Sequence, residues 1–299
     1  MNHAYNRGSR VALRVRIACW LSMLGVCAGF LSGADAKTRV PAGPLLAVWE
    51  HDANVDIAPI VQELGFNTLW AHDGPYDGKA EWKDTMMFRA LQIQGMKYIV
   101  AKIDRKQWGW SYEASLKHAE WIAKLAREHP EIIGLYLNDY YGELDEGGKT
   151  QQEWNEIIAR SRAVNPELPL WAPLYPENGD LDRPYEFRPD GIMFNIWDDR
   201  EVRKADDYLS KAEKKFPHTP IVAGLYLNSE RDKEKSWLSE SDFKHILGVY
   251  VQHLNAGKIA GIRFYRAAQF NERPEYAKWA KEVLAGLNKP AVAAPGGGR

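Results

Sequence analysis

From Leu45 onward eight short apolar runs alternate with longer amphipathic ones. The short runs fall at 45–50, 67–71, 97–104, 132–138, 169–174, 191–197, 221–228 and 261–266. Their length suits buried strands rather than helices. The longer runs carry helical spacing at 57–64, 83–94, 112–128, 151–164, 202–215, 240–255 and 275–287. A helix after each strand returns the chain to the same end of a sheet, so the strands must run parallel. Eight such units in about 245 residues match a single closed (β/α)8 TIM barrel. A doubly wound open sheet would want a glycine-rich phosphate loop after the first strand, and none follows Glu50.

The punctuation agrees with this frame. Gly65, Gly95 and Gly257 each stand between a helical run and a strand, where a helix C-terminus favours a residue tolerant of positive φ. Pro130, Pro166 and Pro217 close other helices in the same way. The connection 177–189 reads as irregular, with room for a short helix at most.

The first 36 residues read as a signal peptide. Arg7, Arg10, Arg14 and Arg16 precede an apolar stretch at 17–31, and Ala34-Asp35-Ala36 fits a small-residue cleavage site. The apolar stretch is short for a membrane span. The expectation is an exported protein, secreted or periplasmic, with no stable membrane anchor after cleavage. Its barrel would occupy residues 37–287, and a disordered Ala-, Pro- and Gly-rich tail residues 288–299. Cys19 and Cys27 both fall in the leader, which leaves the barrel without a thiol or disulfide. Removing the leader takes away four Arg and one Asp, leaving 35 basic against 39 acidic residues. A net charge near −4 argues against nucleic acid or an anionic membrane as the main partner.

Strand alternation assigns side chains to the lumen. The pentapeptide Gly-Leu-Tyr-Leu-Asn occurs at 134–138 and again at 224–228. Its leucines suit the helix-facing side, which sends Gly134, Tyr136 and Asn138 inward, with Gly224, Tyr226, Asn228 and Glu230 at the matching places. The same parity turns Lys102, Asp104, Asn195, Trp197, Arg263 and Tyr265 inward. A lumen that only filled space would take Val, Ile and Leu, because buried charges are costly unless paired. Most of these polar residues lie near the C-terminal ends of their strands, where barrel enzymes keep their active sites.

Two strand ends bring carboxylates. Glu230 follows strand seven with inward parity, and Arg263 on the next strand is placed to keep it ionised, as a nucleophile or base. Asp139 directly follows strand four, although strict alternation points it at the helices unless a bulge re-aims it. Glu143 comes one short loop later and is the second choice for the acid. Cleaving a glycosidic bond requires such a pair, one carboxyl to protonate the leaving oxygen and one to attack or to activate water. The chain here resembles the broad glycoside hydrolase (β/α)8 superfamily. In one large group of its retaining enzymes the strand-four acid is a Glu directly after Asn, and the nucleophile is a Glu ending strand seven. Asn138-Asp139 is similar in position but carries Asp for Glu, and Glu230 lies two residues past Asn228. The resemblance implies a barrel glycosidase and assigns no single family.

Trp49-Glu50-His51-Asp52 and Trp70-Ala71-His72-Asp73 form a near-repeat at the ends of strands one and two. Glu50, His51, His72 and Asp73 suit the hydroxyls of a terminal sugar, or alternatively a metal ion. Trp82, Trp108 and Trp110, with Tyr175 and Trp197, are candidate platforms for sugar rings; Trp121, Trp154 and Trp279 sit in helices and read as core. The expected function is cofactor-free glycoside hydrolysis of a polysaccharide or oligosaccharide. Asp139 or Glu143 would be the acid and Glu230 its partner, with Lys102, Asp104, Tyr136, Asn138, Asn195, Tyr226, Asn228, Arg263 and Tyr265 orienting substrate. Two other readings stay open: a non-catalytic carbohydrate-binding barrel, and a metal-dependent hydrolase or isomerase using His51 and His72.

Overall fold

Eight parallel strands close on themselves, in the order β1-β8-β7-β6-β5-β4-β3-β2. They are β1 (Leu45–Glu50), β2 (Thr68–Ala71), β3 (Tyr98–Ile103), β4 (Ile132–Leu137), β5 (Leu170–Leu174), β6 (Gly191–Ile196), β7 (Ile221–Tyr226) and β8 (Gly261–Tyr265). The computed structural model describes residues 40–41, 43–71, 81–106, 109–229 and 236–287, and all of them belong to the compact unit Lys37–Arg299. The leader and tail expected at 1–36 and 288–299 lie outside the described residues, as do His72, Asp73, Trp108 and Glu230.

The helices follow from local signals. α3 (Tyr112–Glu128), α5 (Gln151–Val164) and α7 (Glu240–Asn255) have the expected bounds, and Ser111, Thr150 and Ser239 cap their first turns through side-chain oxygens. α1 (Ala58–Leu64) ends at Gly65, whose φ of 71° a side chain would resist. The run expected as one helix at 83–94 is divided. A 3-10 turn at Trp82–Asp84 stops at Thr85, whose hydroxyl then caps α2 (Met86–Leu91). α6 (Ala205–Lys215) likewise starts after a 3-10 turn, Asp199–Lys204. The irregular connection after β5 holds two 3-10 turns, Pro176–Asn178 and Asp180–Asp182. α9 (Glu275–Leu284) ends three residues early.

Two short helices carry no periodic signal. α4 (Tyr140–Asp145) is held by packing, since buried Tyr140 touches Trp154, Tyr185 and Phe187. α8 (Ala267–Glu272) is tied to β1 by Glu50, whose Oε2 accepts from Ala268 N at 2.9 Å.

Leucine, isoleucine and phenylalanine on one face of each strand pack against the helices. The other face encloses a separate lumen cluster that includes Trp49, Trp70, Val100, Tyr136, Trp171, Met193, Tyr226 and Tyr265. Trp171 fills the lower lumen because Gly134 and Gly191 make room for its indole. A Cβ at either glycine would lie 2.3–2.4 Å from the ring. The recurring pentapeptide thus serves different neighbours: its first glycine clears Trp171, whereas Gly224 clears the Asn195 amide and Arg263.

Gly191→Ala is expected to lower stability by about 1–3 kcal/mol through overpacking against Trp171. Gly248→Ala, in the middle of α7 with open space around it, is expected to raise stability by about 0.5–1 kcal/mol. Thermal unfolding of the two variants checks both signs.

Candidate active site

The polar residues of β3 and β4 form a connected chain that climbs from the lumen to the mouth. Lys102 and Asp104 are both fully buried, and Lys102 Nζ pairs with Asp104 Oδ2 at 2.5 Å. Burial draws the Lys102 ammonium down to about 8, against the pull of Asp104. The same ammonium lies 4.0 Å from the centroid of the Trp49 ring. Asp104 Oδ1 accepts from Asn138 Nδ2 at 2.7 Å, and that amide also reaches Asp139 Oδ2 at 3.3 Å. An amide nitrogen facing two carboxylates fixes the orientation of Asn138, because the flipped form would set oxygen against oxygen.

Asp139 has left-handed backbone, φ 51° and ψ 36°, and no other non-glycine residue among those described has positive φ. Aspartate tolerates this conformation better than most side chains. The single left-handed residue, rather than a β-bulge, breaks the alternation and turns the carboxyl to the mouth. There Oδ1 accepts from the Tyr175 hydroxyl at 2.9 Å, and Arg105 Nε stands 3.9 Å from Oδ2. The Asp139 side chain keeps 17% exposure. Burial raises its pKa to about 6, with Asp104 adding to the rise and Tyr175, Arg105 and Lys102 opposing it.

A cleft of about 380 Å³ opens above this carboxyl, within the range of small-ligand sites. Trp49, Asn138, Asp139, Tyr175, Trp197, Tyr226 and Tyr265 line it, all of them singled out in the sequence except Trp49 as a side chain. Its aromatic floor is ordered by contacts among the rings. Tyr226 stacks on Tyr265 at 4.6 Å, and Trp49 meets Tyr265 edge-on at 4.8 Å. Arg105, Tyr141, Glu146, Pro173 and Asp180 also line the cleft, and sequence reasoning did not single them out as site residues. Arg105 directly follows Asp104, and its place at a strand end was the available signal. Asp180 lay in the irregular connection, where no periodicity gives an aim.

Several candidates stand elsewhere. Glu143 is buried and turned away from the cleft, pairing with Lys149 Nζ at 3.1 Å and accepting from Lys106 N. Helix α4 begins at Tyr140, and its turn carries Glu143 under the loop after β3. Asn228 is buried against α8, where its Oδ1 accepts from Gln269 Nε2 at 2.7 Å. Strand alternation stops at Tyr226, so parity misplaced this residue. Glu50 is a buried brace, accepting from His51 N, Asp52 N and Ala268 N. His51 contacts Arg266 through Nε2, and burial lowers its pKa. Asn195 and Arg263 meet below the cleft, Nη2 to Oδ1 at 2.8 Å, and Tyr136 is buried in the same lumen. Trp110 is no platform: it is fully buried with its ring against His118. Trp82 stacks on His129 at 4.5 Å and does not line the cleft. Among the described residues, no three His, Cys, Asp or Glu side chains gather as a metal site would need.

No family model matches the sequence, and no curated protein matches it. The fold is similar to solved glycoside hydrolases. A glycoside hydrolase family 5 mannosidase from Rhizomucor miehei aligns with a TM-score of 0.59 at 11% identity, over 82% of this chain and 94% of that one. A glucosidase from Croceicoccus marinus aligns with a TM-score of 0.52 at 12% identity, over 81% and 68%. A β-D-glucuronidase from Dictyoglomus thermophilum gives 0.51 at 12% identity over 75% of this chain. The match takes in 44% of that glucuronidase, so the chain spans less than half its length. These likenesses show the fold, a (β/α)8 barrel.

Tyr175→Phe removes a donor that favours ionised Asp139, so the carboxyl is expected to titrate above its wild-type value of about 6. A carboxyl-carbon NMR titration reads this directly, and an unchanged midpoint contradicts it. Because the folded pKa is raised above 3.8, Asp139 also subtracts stability as pH rises from 3.8 through about 6. Asp139→Asn should abolish that part of the pH dependence of the melting temperature.

Proposed function

We propose that the protein is an exported glycoside hydrolase acting on a polysaccharide or oligosaccharide without a cofactor. The observation that carries this reading is Asp139: a carboxyl at the end of β4, held near pH 6 by burial, open to an aromatic cleft. A general acid needs a proton at working pH and a path to the leaving oxygen. Asp139 supports both requirements, because desolvation keeps the proton and its remaining exposure lies on the cleft side. The rings of Trp49, Trp197, Tyr226 and Tyr265 offer the faces on which sugars pack.

In this reading Asp139 protonates the glycosidic oxygen as the bond to the anomeric carbon breaks. Tyr175 and Asn138 hold its two oxygens in place, and Asp104 holds Asn138. The second carboxylate of the reaction is proposed to be Glu230, on the grounds of its place in the sequence shortly after the end of β7. It would add to the anomeric carbon or take a proton from the attacking water. Glu143 takes no part, since it is spent on Lys149 and the loop after β3. His51 and Glu50 brace the β1 end of the cleft.

Reducing-end release from a panel of polysaccharides and oligosaccharides tests this reading. Asp139→Asn should lower kcat on the responsive substrate by roughly 10²–10⁴-fold, the usual worth of a general acid, with KM little changed. An Asp139→Asn protein that turns over at the wild-type rate would remove Asp139 from the chemistry.

A further inference from the structure

Among the described residues, one charge in the lumen has no counter-charge. Arg263 is fully buried, and among the described residues its side chain makes a single hydrogen bond, from Nη2 to Asn195 Oδ1 at 2.8 Å. Its Nε and Nη1 have no hydrogen-bond partner. Among the described residues no carboxylate pairs with it. Lys102, in the same lumen, meets the cost of burial differently, with Asp104 at 2.5 Å. A guanidinium cannot shed its proton, so Arg263 has no neutral form to retreat to.

What surrounds Arg263 is aromatic and rich in N–H groups. The guanidinium lies 4.4 Å from the centroid of Trp49 and 5.9 Å from that of Tyr226. Ring faces offset only part of the desolvation cost of a buried cation. Among the described residues the indole nitrogens of Trp49, Trp70 and Trp171 are likewise buried without partners. Such atoms are rare in folded proteins, where buried polar groups are nearly all satisfied. The lumen holds two cations, Lys102 and Arg263, and Asp104 is taken up by Lys102, so the unmet complement of Arg263 and these donors is negative charge.

We propose that the lumen around Arg263 binds a small monovalent anion of halide size, held by Arg263 Nε and Nη1. A small anion is proposed because Arg263 is fully buried and does not line the cleft. Trp49 and Tyr226, whose rings flank the guanidinium, also line the cleft above, and Arg263 itself has no exposed surface. A carboxylate carried on a sugar ring has the same charge but must displace those rings to reach it. The anion would neutralise Arg263 and hold Trp49 and Tyr226 at the cleft floor, linking salt composition to the stability of the site.

The test is the melting temperature of the full chain as sodium chloride replaces sodium methanesulfonate at constant ionic strength. Wild type should gain about 5–10 °C at chloride a hundredfold above its dissociation constant. Arg263→Gln should lose that dependence, while sodium glucuronate should not reproduce it in wild type. A flat wild-type response, or an Arg263→Gln variant with the wild-type slope, overturns the proposal; a glucuronate response equal to that of chloride overturns the halide-size assignment. Should Arg263→Gln fail to fold, bromide-soaked wild-type crystals decide. An anomalous peak in contact with Arg263 supports the site, and a lumen without one overturns it.

Discussion

Closing eight strands into a barrel leaves inward side chains no route to solvent except the mouth, and the buried pair of Lys102 and Asp104 is the interaction on which the candidate site depends. Removing one member of such a pair strands the other, at a cost of about 3–5 kcal/mol. The pair also does more than satisfy itself. Asp104 orients the Asn138 amide, and that amide and the Tyr175 hydroxyl hold the two oxygens of Asp139. The mouth carboxyl is therefore positioned from below, through hydrogen bonds that begin on the preceding strand. Its raised pKa has the same origin, since burial and the nearby Asp104 charge both oppose ionisation.

Most of the frame could be read from the chain because a barrel repeats one local rule. A short apolar strand followed by an amphipathic helix leaves a periodic trace, and Gly65 and Gly257 mark helix ends through positive φ. Parity along β3, β4, β6, β7 and β8 placed Lys102, Tyr136, Asn195, Tyr226 and Arg263 inside the lumen for the same reason. The limits appear where the chain leaves its strands. Asp139 changes aim through one left-handed residue, which carries no sequence signature beyond the tolerance of aspartate. Glu143 and Asn228 follow the geometry of α4 and of the link to α8, short elements fixed by tertiary packing. Trp110 was misjudged because loop position says nothing of burial.

The contrast between Glu143 and Asp139 shows how the same residue chemistry divides into support and function. Glu143 is buried with a lysine partner and backbone donors, an arrangement that spends its charge. Asp139 keeps 17% of its side chain exposed on an open face, with its nearest cation, Arg105 Nε, at 3.9 Å, and burial still holds its pKa up to about 6, so its proton remains available. A barrel of this kind hosts many chemistries, and likeness of fold at 11–12% identity does not choose among them. The choice rests on the carboxyl and the aromatic cleft that faces it.

The most direct test is a crystal structure of Asp139→Asn protein with an oligosaccharide bound in the cleft. The proposed function predicts a glycosidic oxygen within about 2.6–3.2 Å of the substituted side chain, with a sugar ring against the aromatic floor. A glycan bound elsewhere, or one whose every glycosidic oxygen lies beyond the reach of residue 139, would contradict it.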